Sequence, residues 1–459
     1  MRTDTSPPTR LLDLPTELLE RAFSRCDSPF DIARVEAVSL LFHASLAEEG
    51  LRLWARERGF ELPAQPEDES CTVRWLCFAA LLCEANPPAR AAAGDRHSLF
   101  IDGEGRLSSC GCAASWATPG LLGHGEGVTR LNTPTRLPSS LGDERAVSVS
   151  VGGYHSLALT AGGAVWSWGS GRAGRLGHGD EQSQWQPKKV EALAGQHVLT
   201  LSAGGAHSLA ATADGTVWSW GGGDWGKLGH GDTQSQLLPK KVEALAGQRV
   251  VAVSAGLQHS LALTADGAVW SWGWGGFGEL GHGDDQQLLL PKKIVALASQ
   301  RVVATWAGWF HSLAITADGA VWSWGDGGEC RLGHGDEQDQ WQPKKVDALA
   351  GQRVIAVSAG ARHSIALTVE GTAWSWGSGD DGQLGHGDEK IDRLLPKKIE
   401  AFAGRRVVAV SAGMAHGLVL SADGAVFTWG EGRHGCLGHG EDLSKQLLPK
   451  KIEVWAPGQ

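Results

Sequence analysis

Fourteen of the seventeen histidines stand in two recurring phrases. One series, in AGxxHS and its variants, is His97, His155, His207, His259, His311, His363 and His416; the other, in LGHG, is His124, His178, His230, His282, His334, His386 and His439. Imidazoles ligate metals and act as general bases, and stretches such as VWSWGDGGECRLGHGD (321–336) add tryptophan, cysteine and aspartate beside them. A metal site, however, needs ligands that converge within a few ångströms, and a base needs a nucleophile within hydrogen-bond reach. The LGHG histidines fall 54, 52, 52, 52, 52 and 53 residues apart. Equivalent positions of a repeated unit are spread around a structure, so no shared metal centre is expected. Each histidine is instead expected to pin local structure, in the LGHG series the loop after a third strand. The aspartate of HGD is expected to close a turn, and Cys330 replaces a glycine of other copies without a nucleophile's surroundings. No phosphate loop, nucleophile-base pair or paired carboxylates stand out, so no catalytic residue and no cofactor is expected.

The unit behind this period reads RVVAVSAG..HSLALTADGAVWSWG.G..G.LGHGD......PKKVEAL. VVAVSAG, HSLALT and VWSWG are short β-type runs, and Asp-Gly pairs such as Asp214-Gly215 and Asp266-Gly267 separate the second from the third. Asp-Gly between two such runs signals a hairpin in which both turn residues accept positive φ. PKKV supplies a fourth extended segment with proline at its start, where no ladder donor is lost. Four strands per copy and seven copies in line imply radial repetition, a seven-bladed β-propeller over residues 88–459. The first copy is atypical: Ser108 and Cys110 stand in place of the two tryptophans. The last copy ends at PKKIEVWAPGQ, and no further domain is expected after it. The tryptophans of VWSWG, at i and i+2, share one face of a strand and are expected to fill the wedge between blades, each burying roughly 150–250 Å².

Where the copies disagree, the sequence points to a surface. The residues before the HS histidine vary (Arg96, Tyr154, Gln258, Trp309, Phe310, Arg362), as does the loop before LGHG (Trp225, Phe277, Arg433, His434). Equivalent positions lie on equivalent rims, so these side chains are expected to form a mixed aromatic and charged face for a protein partner; drift at exposed loops is the alternative. Twelve of the fifteen lysines lie in pairs from Lys188-Lys189 to Lys450-Lys451, either a ring for an acidic partner or protection of edge strands. The net charge of −10 argues against bulk-charge binding of nucleic acid. No signal-peptide core or membrane-length apolar run is present, and the eight cysteines show no CxxC spacing, which favours a reduced, intracellular protein in cytoplasm or nucleus.

Residues 1–87 differ: no lysines and helical periodicity. Residues 1–10 are expected to be disordered, 11–60 to form a small all-α domain, and 61–87 a linker and connecting helix. Such short helices cannot cover their apolar faces unaided, so a partner or the adjoining helix must do so.

The repeat phrase with its LGHG signature resembles the regulator of chromosome condensation family of seven-bladed propellers, over roughly residues 88–455. Residues 11–54 resemble an F-box through Leu14, Pro15, Leu18, Leu19, Phe23, Ile32, Val35, Val38, Phe42 and Trp54; a plain helical cap is the alternative. Together the resemblances imply a mostly β chain preceded by an all-α F-box-like domain. They imply a non-catalytic substrate receptor whose F-box docks a Skp-type adaptor of a cullin ubiquitin ligase and whose rim binds the target. The propeller family also implies two other readings. Guanine nucleotide exchange on a small GTPase is one, though no basic N-terminal tail is present. Ultraviolet sensing is the other, but the photoreceptor's Gly-Trp-Arg-His-Thr phrase is approached only by Gly308-Trp309-Phe310-His311.

Overall fold

In a computed structural model, the described residues are 90–453 apart from 114–118, 139–140, 143 and 389. The expected helical segments 11–60 and 61–87, with all ten F-box positions from Leu14 to Trp54, lie outside them. Seven four-stranded antiparallel sheets follow one another along the chain, each a meander of consecutive strands. These blades begin at Ala91, Ala146, Val198, Val250, Val302, Val354 and Val407 and end at Arg136, Lys189, Lys241, Lys293, Lys345, Lys398 and Lys451. Blade 7 meets blade 1 directly: the Ala93 amide donates to Ser411 Oγ at 3.0 Å and the Met414 amide to the Gly94 carbonyl at 3.1 Å. The ring closes by packing between complete blades.

The tryptophans hold neighbouring blades together. The second of each pair (Trp168, Trp220, Trp272, Trp324, Trp376, Trp429) is completely buried. Its indole N–H donates to a carbonyl of the preceding blade, for example Trp272 to Lys227 at 2.8 Å and Trp429 to Gln383 at 2.7 Å. Trp220 packs among Leu157, Leu159, Val165 and Leu193 of blade 2 and Ala203 and Ala210 of its own blade. The first of each pair is only half-buried against the same wedge. The serine between them points to the other face. Ser219 Oγ donates to the Leu228 carbonyl at 2.7 Å and accepts from His230 Nε2 at 2.9 Å, so the LGHG histidine pins its loop to the third strand as expected.

The other histidine series acts differently from a loop pin. His207 Nε2 bonds Ser260 Oγ of the next blade at 2.9 Å, and the same link runs from His97, His155, His259 and His311. His416 bonds Ser98 at 3.1 Å across the closure. Ser260 spends its hydroxyl hydrogen on the Lys227 carbonyl, so the imidazole Nε2–H must be the donor, and the buried Nδ1 of His207, which has no partner, keeps the ring neutral. Burial drives these imidazoles far down, His97 and His259 to about 3. The chain of links breaks once: Gly417 replaces the serine opposite His363, and His363 Nε2 is unpaired.

Two local expectations need correction. In the Asp-Gly hairpins only the glycine is left-handed (Gly215 φ 84°). The Thr212 amide bonds the Thr216 carbonyl at 3.0 Å and the Gly215 amide the Thr212 carbonyl at 2.8 Å, a loop one residue longer than the two-residue turn. Asp214 stays in a normal conformation and accepts the Thr216 amide at 3.0 Å. The proline does not start the fourth strand but sits inside it, as Pro239 in Gln236–Lys241. The register slips there, and the bulge leaves no ladder position that needs a proline donor.

Candidate partner-binding rim

In a meander, the connection from first to second strand and that from third to fourth emerge at one end of the blade, opposite the Asp-Gly hairpin. Both variable segments therefore share one rim. Their side chains are segregated there rather than mixed. Over blades 3 to 5 the rings form an unbroken series. Trp225 lies 6.4 Å from Trp274, Trp274 lies 5.0 Å from Phe277 and 6.1 Å from Phe310, Phe277 lies 5.9 Å from Phe310, and Phe310 lies 6.3 Å from Trp309. Trp225 and Phe277 are 47% and 37% exposed, so this aromatic arc reaches solvent. Trp225 holds φ 64°, an uncommon state for a bulky side chain, in a loop shape shared with Ala173 and Glu329.

Around blades 6, 7 and 1 the rim is charged and self-paired. Arg362 faces Glu329 at 3.8 Å and Arg433 faces Glu431 at 2.9 Å. Arg96, Arg433 and His434 line a cleft with Asp95, Asp381 and Glu431. Burial raises Asp95 to about 6, opposed by Arg96 and by the Trp309 side chain. Tyr154 stands apart, its ring under the Arg175 guanidinium at 5.2 Å. Gln258 turns inward to accept from Lys227 Nζ at 2.8 Å.

Sequence reasoning missed two groups. Trp274, at the centre of the arc, follows VWSWG directly, where other copies carry Cys, Ser, Gly, Asp or Glu. The second group is the residue just before LGHG in blades 2 to 6, Arg175, Lys227, Glu279, Arg331 and Gln383, all buried; blades 1 and 7 have the apolar Leu121 and Cys436 there. Its backbone carbonyl belongs to the frame, that of Lys227 accepting from both Ser260 Oγ and Trp272 Nε1 at 2.8 Å. Its side chain rises under the rim. Arg331 pairs with Asp326 at 2.9 Å and Lys227 lies 3.5 Å from Asp224. Glu279 accepts the Phe277 amide at 2.9 Å, and burial lifts its carboxyl to about 7, with Asp326 and Asp339 pushing the same way. Changing identity at a fixed place in an otherwise regular repeat was the available signal.

The arrangement offers hydrogen-bonding groups, rings and charges, and the Cys330 thiol donates to a Glu337 carboxylate oxygen at 3.6 Å. The thiol of Cys330 is pushed up to about 12, by burial first and then by Glu337. The profile of the RCC1-like domain matches residues 119–458. The chain belongs to that family. It is 37% identical over 374 residues to the ultraviolet-B receptor UVR8 of Arabidopsis thaliana, covering 80% of this chain and 83% of the receptor. It is 40% identical over 337 residues to the E3 ubiquitin-protein ligase HERC2 of Homo sapiens, covering 73% of this chain but 7% of HERC2. Among solved structures, Prp20p of Saccharomyces cerevisiae superposes with a TM-score of 0.68 at 23% identity over 81% of this chain and 88% of that one. Human WBSCR16 gives 0.65 at 26% identity, over 76% and 94%. The RCC1-like propeller is a protein-interaction module. Among the described residues, no helix is long and apolar enough to cross a membrane.

Proposed function

We propose that this propeller binds a protein target through its rim and that residues 11–60 dock the chain to a Skp-type adaptor, making it the substrate receptor of a cullin ubiquitin ligase. The observation that carries the first half is the aromatic arc, because solvent-reaching tryptophans and phenylalanines in a cluster are the typical anchors of protein interfaces. The second half rests on the F-box-like pattern from Leu14 to Trp54. Catalysis then belongs to other subunits, and the chain needs no cofactor. The test is capture of the purified adaptor by the full chain beside a Leu14→Ala/Pro15→Ala variant, both checked by thermal melting. Capture lost in the folded variant supports the receptor role. A folded wild type that captures no adaptor refutes it and leaves the propeller as an interaction module of another assembly.

A second reading, ultraviolet sensing, is favoured by the likeness to an ultraviolet-B receptor and by the proximity of Trp225 and Trp274. It requires a change of oligomeric state on ultraviolet-B illumination, read by size-exclusion chromatography. An elution volume indifferent to light rejects it.

A further inference from the structure

We infer that the aromatic arc receives a basic side chain, an arginine or lysine presented by a segment of the partner protein. The inference rests on the interaction-module reading and names the chemistry of the partner at that same rim. Three observations carry it.

The first is the arc itself. Trp274, Phe277 and Phe310 meet edge to face at 5.0 to 6.1 Å, and Phe277 and Trp225 expose ring surface to solvent, which attracts cations. The second is an inversion of charge beneath it. In blades 2, 3 and 5 the residue before LGHG is a buried cation, Arg175, Lys227 or Arg331. In blade 4, against the Phe277 amide, it is the acid Glu279. Asp326 and Asp339 act on it electrostatically in the same direction, and of these Asp326 is paired with Arg331 at 2.9 Å.

The third is that the cations of this region are already engaged. Lys227 is held by Gln258 at 2.8 Å and by Asp224, Arg331 by Asp326, and Arg362 by Glu329. Glu279 has no ion pair among the described residues; its contact is the Phe277 amide. A positive group entering between the rings would draw the buried Glu279 carboxyl into its ionised form and supply its counter-charge, in a site already shielded from water. An acidic segment would bring a further carboxylate against the buried Glu279 with no free cation beside it, among the described residues, to offset the charge.

The test is selection of a displayed library of random twelve-residue peptides on the immobilised full chain, followed by affinity measurement of the enriched sequences. The expected result is a shared arginine or lysine whose replacement by alanine in the peptide weakens binding at least tenfold. Glu279→Gln, which keeps the shape and the acceptor for the Phe277 amide, is expected to weaken it tenfold or more, and Trp274→Ala likewise. Val295→Ser, at a position 76% exposed on the end of blade 4 away from the rim, is expected to leave it unchanged. Melting curves confirm that each variant is folded. Peptides that need Trp274 but no basic residue overturn this inference and leave the interaction rim standing. Failure to enrich any peptide sensitive to Trp274→Ala overturns both.

Discussion

Trp272 and Trp274 are two residues apart and belong to different regions. Trp272 is wholly buried, donates to a carbonyl of the preceding blade, and has a counterpart in nearly every copy. Trp274 has no counterpart, lies half-buried, and touches other rings rather than a backbone acceptor. The first belongs to a frame whose polar groups satisfy one another between blades, and the second to a rim whose groups are left for something else. Repetition therefore marks what holds the ring, and departure from repetition marks what it presents.

The largest separation of the two regions should come from acid. The seven HS histidines are buried, and all have values driven below the ordinary 6.5, to about 3 for His97, His259 and His363 and about 4 for His416. Below about pH 6.5 the unfolded chain therefore takes up protons that the folded chain refuses, and stability falls until the folded values are reached. At pH 5 each such group costs ~2 kcal/mol, so the set approaches the ~5–15 kcal/mol that stabilises a domain. Glu279 acts oppositely: raised from 4.5 to about 7, it favours the folded state below pH 4.5 and loses that advantage by about pH 7. Asp95, raised to about 6, acts the same way, and the two are outweighed by the seven histidines. Melting temperature followed by circular dichroism should drop steeply between pH 6.5 and 5; a flat profile would mean that the histidines are not buried as neutral rings.

Next in size is Trp272→Ala, expected to cost ~3–5 kcal/mol by leaving a cavity between blades 3 and 4 and removing one of the two donors to the Lys227 carbonyl. The denaturant midpoint measures it. Smaller is Gly229→Ala. Gly229 has φ +78° and an added Cβ would lie 2.9 Å from Trp272 Nε1, so a loss of ~1–3 kcal/mol is expected on the same measurement. Smallest is Trp274→Ala, expected within ~1 kcal/mol of wild type because the side chain is not enclosed. A large loss there would erase the distinction between frame and rim.

Much of the frame was readable because its signals recur. Seven LGHG histidines at near-constant spacing gave the blade count, and paired tryptophans gave the face that packs. What the period could not show was partnership across blades. The bond from His207 to Ser260 joins residues 53 apart, and nothing local distinguishes it from a pin within one loop. The turn was misread for a related reason: Asp-Gly fits two hairpin geometries, and the Asp214 hydrogen bonds decide between them. At the rim, Trp225, Phe277, Trp309 and Phe310 were found by asking where copies differ. Trp274 and Glu279 were passed over because each adjoins a fixed phrase and reads as part of it. Their meaning came only when neighbouring blades brought the rings together.

The most direct test of the division is site-specific photocrosslinking in cells. A benzophenone amino acid at position 277, in the aromatic arc, is compared with the same group at position 295, exposed on the opposite end of blade 4. The expected result is a discrete crosslinked protein from position 277 and none from 295. Discrete crosslinks from 295 with none from 277 would contradict the account and move the functional surface away from the rim.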